Sequence, residues 1–275
     1  MTDHMKFTVL MSVYEKEKAI YLKECLDSIL INQSIMPNEL VIVEDGPLTN
    51  ELNITLDEYE QEYSFIKRIK LEKNKGLGEA LRIGLEECSF DIIARMDSDD
   101  ISDFYRFEKQ LKFLNENKDV DLIGGSIGEF FEKVDDIKFI RQLPKNIDLI
   151  KKMAIRRNPV NHVTVMFKKS AVMEVGSYQP LAYLEDYYLW IRMLNKGMKI
   201  VNMDDVLVYV RTGQEMFKRR SNPVYIKSWW QLQKEMYSSR FINVIQLNIN
   251  MMCIIAFIYT PGKMKYYIYK YFLRK

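Results

Sequence analysis

The chain has 275 residues, 48% of them hydrophobic, and its 40 Lys and Arg against 38 Asp and Glu give a formal net charge of +2. That length supports one large domain or two small ones with a sizeable core, and the near balance of charge gives no general affinity for nucleic acid. Cys25, Cys88 and Cys253 lie far apart in apolar surroundings with no CxxC pairing, so reduced, buried thiols of a cytoplasmic protein are expected.

The opening "MTDHMKFTVLMSVYE" lacks a leader pattern, and no run of about 20 clean apolar residues predicts a transmembrane helix. "FTVLMSV" (7–13) is a strand, and the following segment sets Leu22, Leu26, Ile29 and Leu30 on one helical face. "ELVIVE" (39–44) is a second strand, ended by "DGP", and "FIKRIKLE" (65–72) a third. Leu77, Leu81, Leu85 and Cys88 mark a helix, "DIIARM" (91–96) a fourth strand, and Phe104, Phe107, Leu111 and Leu114 another helix. This alternation predicts a parallel sheet covered on both faces, with a ligand site beyond the carboxyl ends of its strands. Three of those ends carry unusual loops: "SVYEKE", "EDGP" and "DSDD".

Further on, "NPVNHVTVMFKKS" reads as a loop and a strand, with His162 at their junction as a semi-buried structural histidine or an acceptor-site residue. "YLEDYYLWIRML" is a helix with Leu189, Trp190, Met193 and Leu194 on its core face, opened by Glu185 and Asp186. From Phe241 onward apolar residues alternate with Asn243, Gln246, Asn248 and Asn250, then "TPG" precedes the basic and aromatic "KMKYYIYKYFLRK". Such a tail suits an anionic membrane interface, and equally a helix packed on the domain or a dimer contact.

The acidic loop, Asp97, Asp99 and Asp100, stacks like charges at a strand end. A calcium EF-hand fails because Ile101 and Ser102 occupy its fifth and sixth positions. An aspartyl-phosphate phosphatase carries its Asp-x-Asp after the first strand, not the fourth. A solvated turn capping the helix at Phe104 and a divalent-metal site for a diphosphate both remain.

"VLMSVYEKE", "LVIVEDGP", "NKGLGEAL", "ARMDSDD" and "YLEDYYLWIRM" stand in the order and spacing of glycosyltransferase family 2, which the chain resembles over about residues 6 to 215. The wording is most similar to bacterial enzymes of capsule, exopolysaccharide and lipopolysaccharide assembly. The resemblance implies a GT-A fold, an α/β Rossmann-like architecture with a mostly parallel sheet flanked by helices. It places a GT-A domain at 1–215, with a nucleotide-binding half (1–100) and an acceptor half (101–215), and a C-terminal helical extension at 216–275. It implies an inverting hexosyltransferase using a UDP-sugar, Mn2+ or Mg2+, and a lipid-linked glycan acceptor, the protein being cytoplasmic and peripheral on the inner face of the membrane. Tyr14 and Glu15 would hold the base, although Tyr14 also suits packing on the sheet. Asp45 would accept the uracil N–H, or else serve an Asx turn before Gly46. Glu44 replaces an aspartate common in relatives. Asn74 and Gly76 would open the helix facing the nucleotide, and Gly76 and Gly78 also suit turn and cap roles. Leu81 and Arg82 stand where many members have Arg-Asn, so that base contact is not carried over. Asp97 would lie near ribose and metal, with Asp99 a direct metal ligand; Asp100 would cap the next helix or support the site, and Arg95 would pair with the acids. No histidine occurs in the 210–220 segment, leaving Arg211 or Arg219 for the diphosphate. Asp186 is the expected base, with Glu185 as fallback and a helix-cap role as the structural alternative. A sugar nucleotidyltransferase would need a glycine- and lysine-rich N-terminal signature that is missing; a non-catalytic glycan- or lipid-binding protein would need neither Asp186 nor the metal pair.

Overall fold

The computed structural model describes residues 5–131, 133–212 and 223–260. Its first half is four parallel strands: β1 (Phe7–Val13), β2 (Glu39–Glu44), β3 (Ile66–Lys70) and β4 (Ile92–Asp97), in the order β3-β2-β1-β4. They are linked by α1 (Ala19–Leu30), α2 (Asn50–Glu62) and α3 (Leu77–Glu87). The strands are apolar on both faces because both are covered. Val9, Met11 and Ile42 point into a core under Leu22, Leu26, Leu52 and Leu56. Leu10, Val41 and Val43 point into the opposite core, under Leu81 and Leu85.

Past β4 come β5 (Ile101–Ser102), α4 (Arg106–Glu116), β6 (Leu122–Phe130), β7 (Phe139–Arg141) and α5 (Ile147–Ala154). A 3-10 turn (His162–Thr164), β8 (Met166–Lys168), α6 (Lys169–Glu174), α7 (Glu185–Asn195) and β9 (Ile200–Arg211) follow. The sheet continues β4-β8-β6-β9-β5, with β7 beside β6. Here only β6 and β9 pair in parallel, so the second half of the sheet is mixed. Two C-terminal helices, α8 (Pro223–Ser238) and α9 (Val244–Tyr259), close the chain's described part. Trp229, Leu232, Met236, Leu247 and Met251 bury into the same core as Leu189 and Trp190 of α7.

Two expectations are corrected. The helix expected from Phe104 onward begins at Arg106, leaving Phe104 exposed, because Ile101 and Ser102 pair with β9 and Asp103 Oδ1 accepts the Tyr105 N–H (3.0 Å) in an intervening turn. Cys25 and Cys88 are buried, but Cys253 is exposed, because it lies on the face of α9 turned away from the core. No helix among the described residues is long and apolar enough to cross a membrane. Arg219 and the tail from Lys263 lie outside the described residues.

Candidate functional site

Strand register sets the site's floor. Ser12 stands opposite Asp97 and Val13 opposite Glu44, so the loops after β1, β2 and β4 open side by side. Tyr14 is half-buried and Glu15 exposed at the first of these ends. At the second, Asp45 is buried, and its carboxylate accepts the N–H groups of Lys75 (2.6 Å) and Gly76 (3.0 Å). Asn74 Nδ2 donates to the Asp45 carbonyl (3.2 Å). Asp45, Asn74 and Gly76 therefore form one cluster, bound to the entry of α3 rather than to the turn at Gly46. Gly46 permits this approach: its φ is +92°, and a Cβ there would lie 2.7 Å from the Asn74 nitrogen. Each Asp45 oxygen retains a lone pair for a further donor. Glu44, by contrast, is consumed by buried Arg68 (2.6 Å to Nε), and Arg82 by Glu79 and Glu86 on its own helix.

The acidic loop is organised around Arg95, whose guanidinium is 2% exposed at the end of β4. Its Nη1 donates to Asp97 Oδ2 (2.7 Å) and its Nη2 to Asp97 Oδ1. Asp99 is half-buried, and burial first, then Asp97 and Glu17, push its carboxyl up to about 7. Buried Asp100 is raised by burial and by Asp99, and accepts the Arg211 backbone N–H (2.9 Å). It supports the loop from β9 and does not cap α4. The Arg211 side chain turns toward α1: it pairs with Glu24, donates to the Asp99 carbonyl (3.3 Å), and lies between the rings of Tyr21 and Phe130.

The acids of α7 complete the arrangement. Asp186 Oδ2 accepts from Asn158 Nδ2 (2.5 Å) and Oδ1 from the Tyr187 N–H (2.6 Å). Burial raises its carboxyl above the ordinary range against these two donors. Glu185 is pushed up to about 7 by burial and by Asp186. Its Cβ stands where a side chain at Gly78 would come within 3.1 Å, so the entries of α3 and α7 abut. Arg95 acts electrostatically on Asp97, Asp99, Asp100, Glu185 and Asp186, which places the loop and the α7 acids in one field. His162 is half-buried: its Nε2 meets the Tyr178 hydroxyl (2.9 Å), and burial first, then Arg95, hold its imidazole well below the ordinary histidine range.

Three supporting residues escape a reading of the sequence. Glu17 accepts from Ser98 (2.8 Å) beside Asp99; its signal was its place in "SVYEKE". The Cys25 thiol donates to the Asp97 carbonyl (3.1 Å), and buried Arg106 donates to the Arg95 carbonyl (2.7 Å); neither has a local signal. Among the described residues no three His, Cys, Asp or Glu side chains converge as a metal cage. Mg2+ or Mn2+, which take one or two carboxylates and fill their octahedron with phosphate and water oxygens, would draw on Asp99 and on the Asp97 lone pairs that Arg95 leaves open. Asp99, crowded by Asp97 and Glu17, has the excess negative charge that such a cation relieves.

The profile of the family described as Glycosyl transferase family 2 matches residues 8–176. The chain is 37% identical over 273 residues to an Escherichia coli UDP-Gal:alpha-D-GlcNAc-diphosphoundecaprenol beta-1,3-galactosyltransferase, covering 99% of this chain and 98% of that one. It is 40% identical over 228 residues to the amylovoran biosynthesis glycosyltransferase AmsE of Erwinia amylovora, covering 83% and 84%. Among solved structures, S. aureus TarS 1–349 in complex with UDP-GlcNAc superposes with a TM-score of 0.66 at 18% identity, over 91% of this chain and 72% of that one, a likeness of fold.

Proposed function

This chain belongs to glycosyltransferase family 2, and from that premise we propose an inverting transfer of a hexose or N-acetylhexosamine from a UDP-sugar to a hydroxyl of a lipid-linked bacterial glycan, with a divalent metal, at a membrane surface. The enzyme is a glycosyltransferase of the type found in bacterial polysaccharide synthesis. The donor and acceptor classes are those in the name of the Escherichia coli relative. The observation that carries the reading is Asp186: a half-buried carboxylate, oriented by Asn158 and the Tyr187 amide, in the same field as the Asp97 loop.

In this reading Tyr14, Glu15 and the Asp45–Asn74–Gly76 cluster receive the nucleotide, and Asp97 and Asp99 would hold a divalent metal. When bound there, it would supply charge neutralisation at the diphosphate. Asp186 takes the proton of the acceptor hydroxyl as its oxygen bonds to the anomeric carbon from the face opposite UDP; the bond from that carbon to the diphosphate breaks, and UDP leaves. Burial makes Asp186 a stronger base than an exposed aspartate. Arg211 acts on the loop through Asp99 and Asp100, an indirect part in binding the diphosphate.

The test is UDP release from a panel of UDP-sugars, with Mn2+, in the presence and absence of a diphosphate-linked N-acetylhexosamine acceptor. Acceptor-dependent UDP release is expected with one sugar of the panel. Release of pyrophosphate from UTP and a sugar phosphate instead would identify a nucleotidyltransferase and overturn the reading.

A further inference from the structure

Among the described residues, one face of α9 carries a row of exposed apolar side chains. Ile245, Ile249, Met252, Ala256 and Tyr259 recur at steps of four and three, so they form one stripe along the helix. Ile245 is 66% exposed, Met252 71% and Tyr259 77%, and Cys253 is open beside them. The sixteen residues of α9 include no Asp, Glu, Lys or Arg. A monomer that exposes such a stripe of large apolar side chains presents an interaction surface.

A cationic turn flanks it. Asn250, on the inner side of α9, donates to the Ile155 carbonyl (2.7 Å), which seats the helix against the end of α5. Lys151 and Lys152 in the last turn of α5, with Arg156 and Arg157 just after it, make no ion pair among the described residues, and Leu149 is exposed on α5. The fifteen residues after Thr260 add five Lys or Arg and five aromatics, with no acid. The same junction touches the reaction centre. The Tyr187 hydroxyl donates to the Ala154 carbonyl (2.6 Å), and Asn158 holds Asp186.

We propose that the outer face of α9 and the cationic turn at 151–157 together form the surface by which the protein docks on an anionic lipid bilayer. Apolar side chains enter the boundary between headgroups and acyl chains, while the cations face lipid phosphates. A second copy of the chain is the poorer fit, since α9 offers no charged residue to pair across a helix seam and the flanking turn is of one sign. Docking here sets Asp186 close to the lipid surface, where the hydroxyl of a lipid-linked acceptor is presented. That last consequence rests on the acceptor reading above; the docking itself does not.

The experiment is co-sedimentation of the full chain with phosphatidylcholine vesicles, with and without phosphatidylglycerol, at low and high salt. The wild type is expected to bind the anionic vesicles preferentially. Ile245→Asp and Met252→Asp should each weaken binding about tenfold, the cost of losing one buried apolar side chain. Their melting temperatures should match the wild type, because both positions face outward. The Lys152→Gln, Arg156→Gln double variant should lose most of the preference for anionic lipid and its sensitivity to salt. The proposal is overturned if the wild type binds neither vesicle, or if Met252→Asp binds as the wild type does. A dimer seen by light scattering that Met252→Asp dissolves, with vesicle binding unchanged, would assign the face to a second copy. UDP release with a soluble acceptor analogue should be unaffected by Met252→Asp. Absence of any transfer by the wild type would overturn the acceptor reading and leave the vesicle result standing.

Discussion

Asp186 carries two donors, and asparagine at that position can still accept the Tyr187 N–H. Asp186→Asn therefore separates a base from a helix cap. We expect kcat to fall by about 10²–10⁴, with UDP-sugar affinity and melting temperature close to the wild type; a wild-type rate would move the base elsewhere, with Glu185 next in line. Glu185 gives a second prediction. Its folded carboxyl is raised from 4.5 to about 7, so the native state binds that proton more tightly than the unfolded chain. Its contribution to stability is fully present below 4.5 and lost as pH rises through about 7. Glu185→Gln cannot ionise, so urea titrations between these limits should show a flatter pH dependence and a gain at the alkaline end, on the order of 1–3 kcal/mol. The acids themselves were legible, since Asp97, Asp99, Glu185 and Asp186 stand in short motifs. Their supports were not: Glu17 meets Ser98 across 81 residues, and Cys25 meets Asp97 across 72, so only the folded chain brings them together.

At the scale of elements, the end of β4 concentrates negative charge that one guanidinium, Arg95, offsets in part. Chelation with EDTA should abolish turnover, and Mn2+ or Mg2+ should restore it. Asp99→Ala should lose the metal-dependent part of UDP binding in calorimetry while keeping the wild-type circular dichroism; undiminished binding in both conditions would exclude Asp99 as a ligand. The strands and most helices could be read from apolar periodicity because each covers a continuous core. α2 escaped that reading. Its buried positions are Leu52, Thr55, Leu56 and Tyr59, helically spaced but half polar in type, so the pattern is weak in sequence. The start of α4 was misplaced for a different reason: Phe104 has the right spacing, yet the pairing of β5 with β9, a contact between distant segments, claims the chain just before it.

The whole molecule shares its second core between the domain and its C-terminal helices. Trp229 of α8 is buried with its ring edge-on to Tyr187, the residue whose amide holds Asp186. Trp229→Ala should cost about 3–5 kcal/mol of stability, read as a lower denaturation midpoint, and should lower kcat more than donor affinity. The parallel half of the sheet was legible from the alternation of strands and helices, whereas the mixed half was not, since β8 and β9 insert by pairings that no local pattern encodes. That insertion also dictates an order of events during synthesis. The four parallel strands leave the ribosome first, but Asp100 waits 111 residues for the Arg211 amide, and β4 remains a sheet edge until β8 arrives. Nascent chains arrested before β8 should therefore expose an unpaired, apolar strand and recruit chaperones, and UDP affinity should emerge abruptly once β9 is released rather than grow with each added strand.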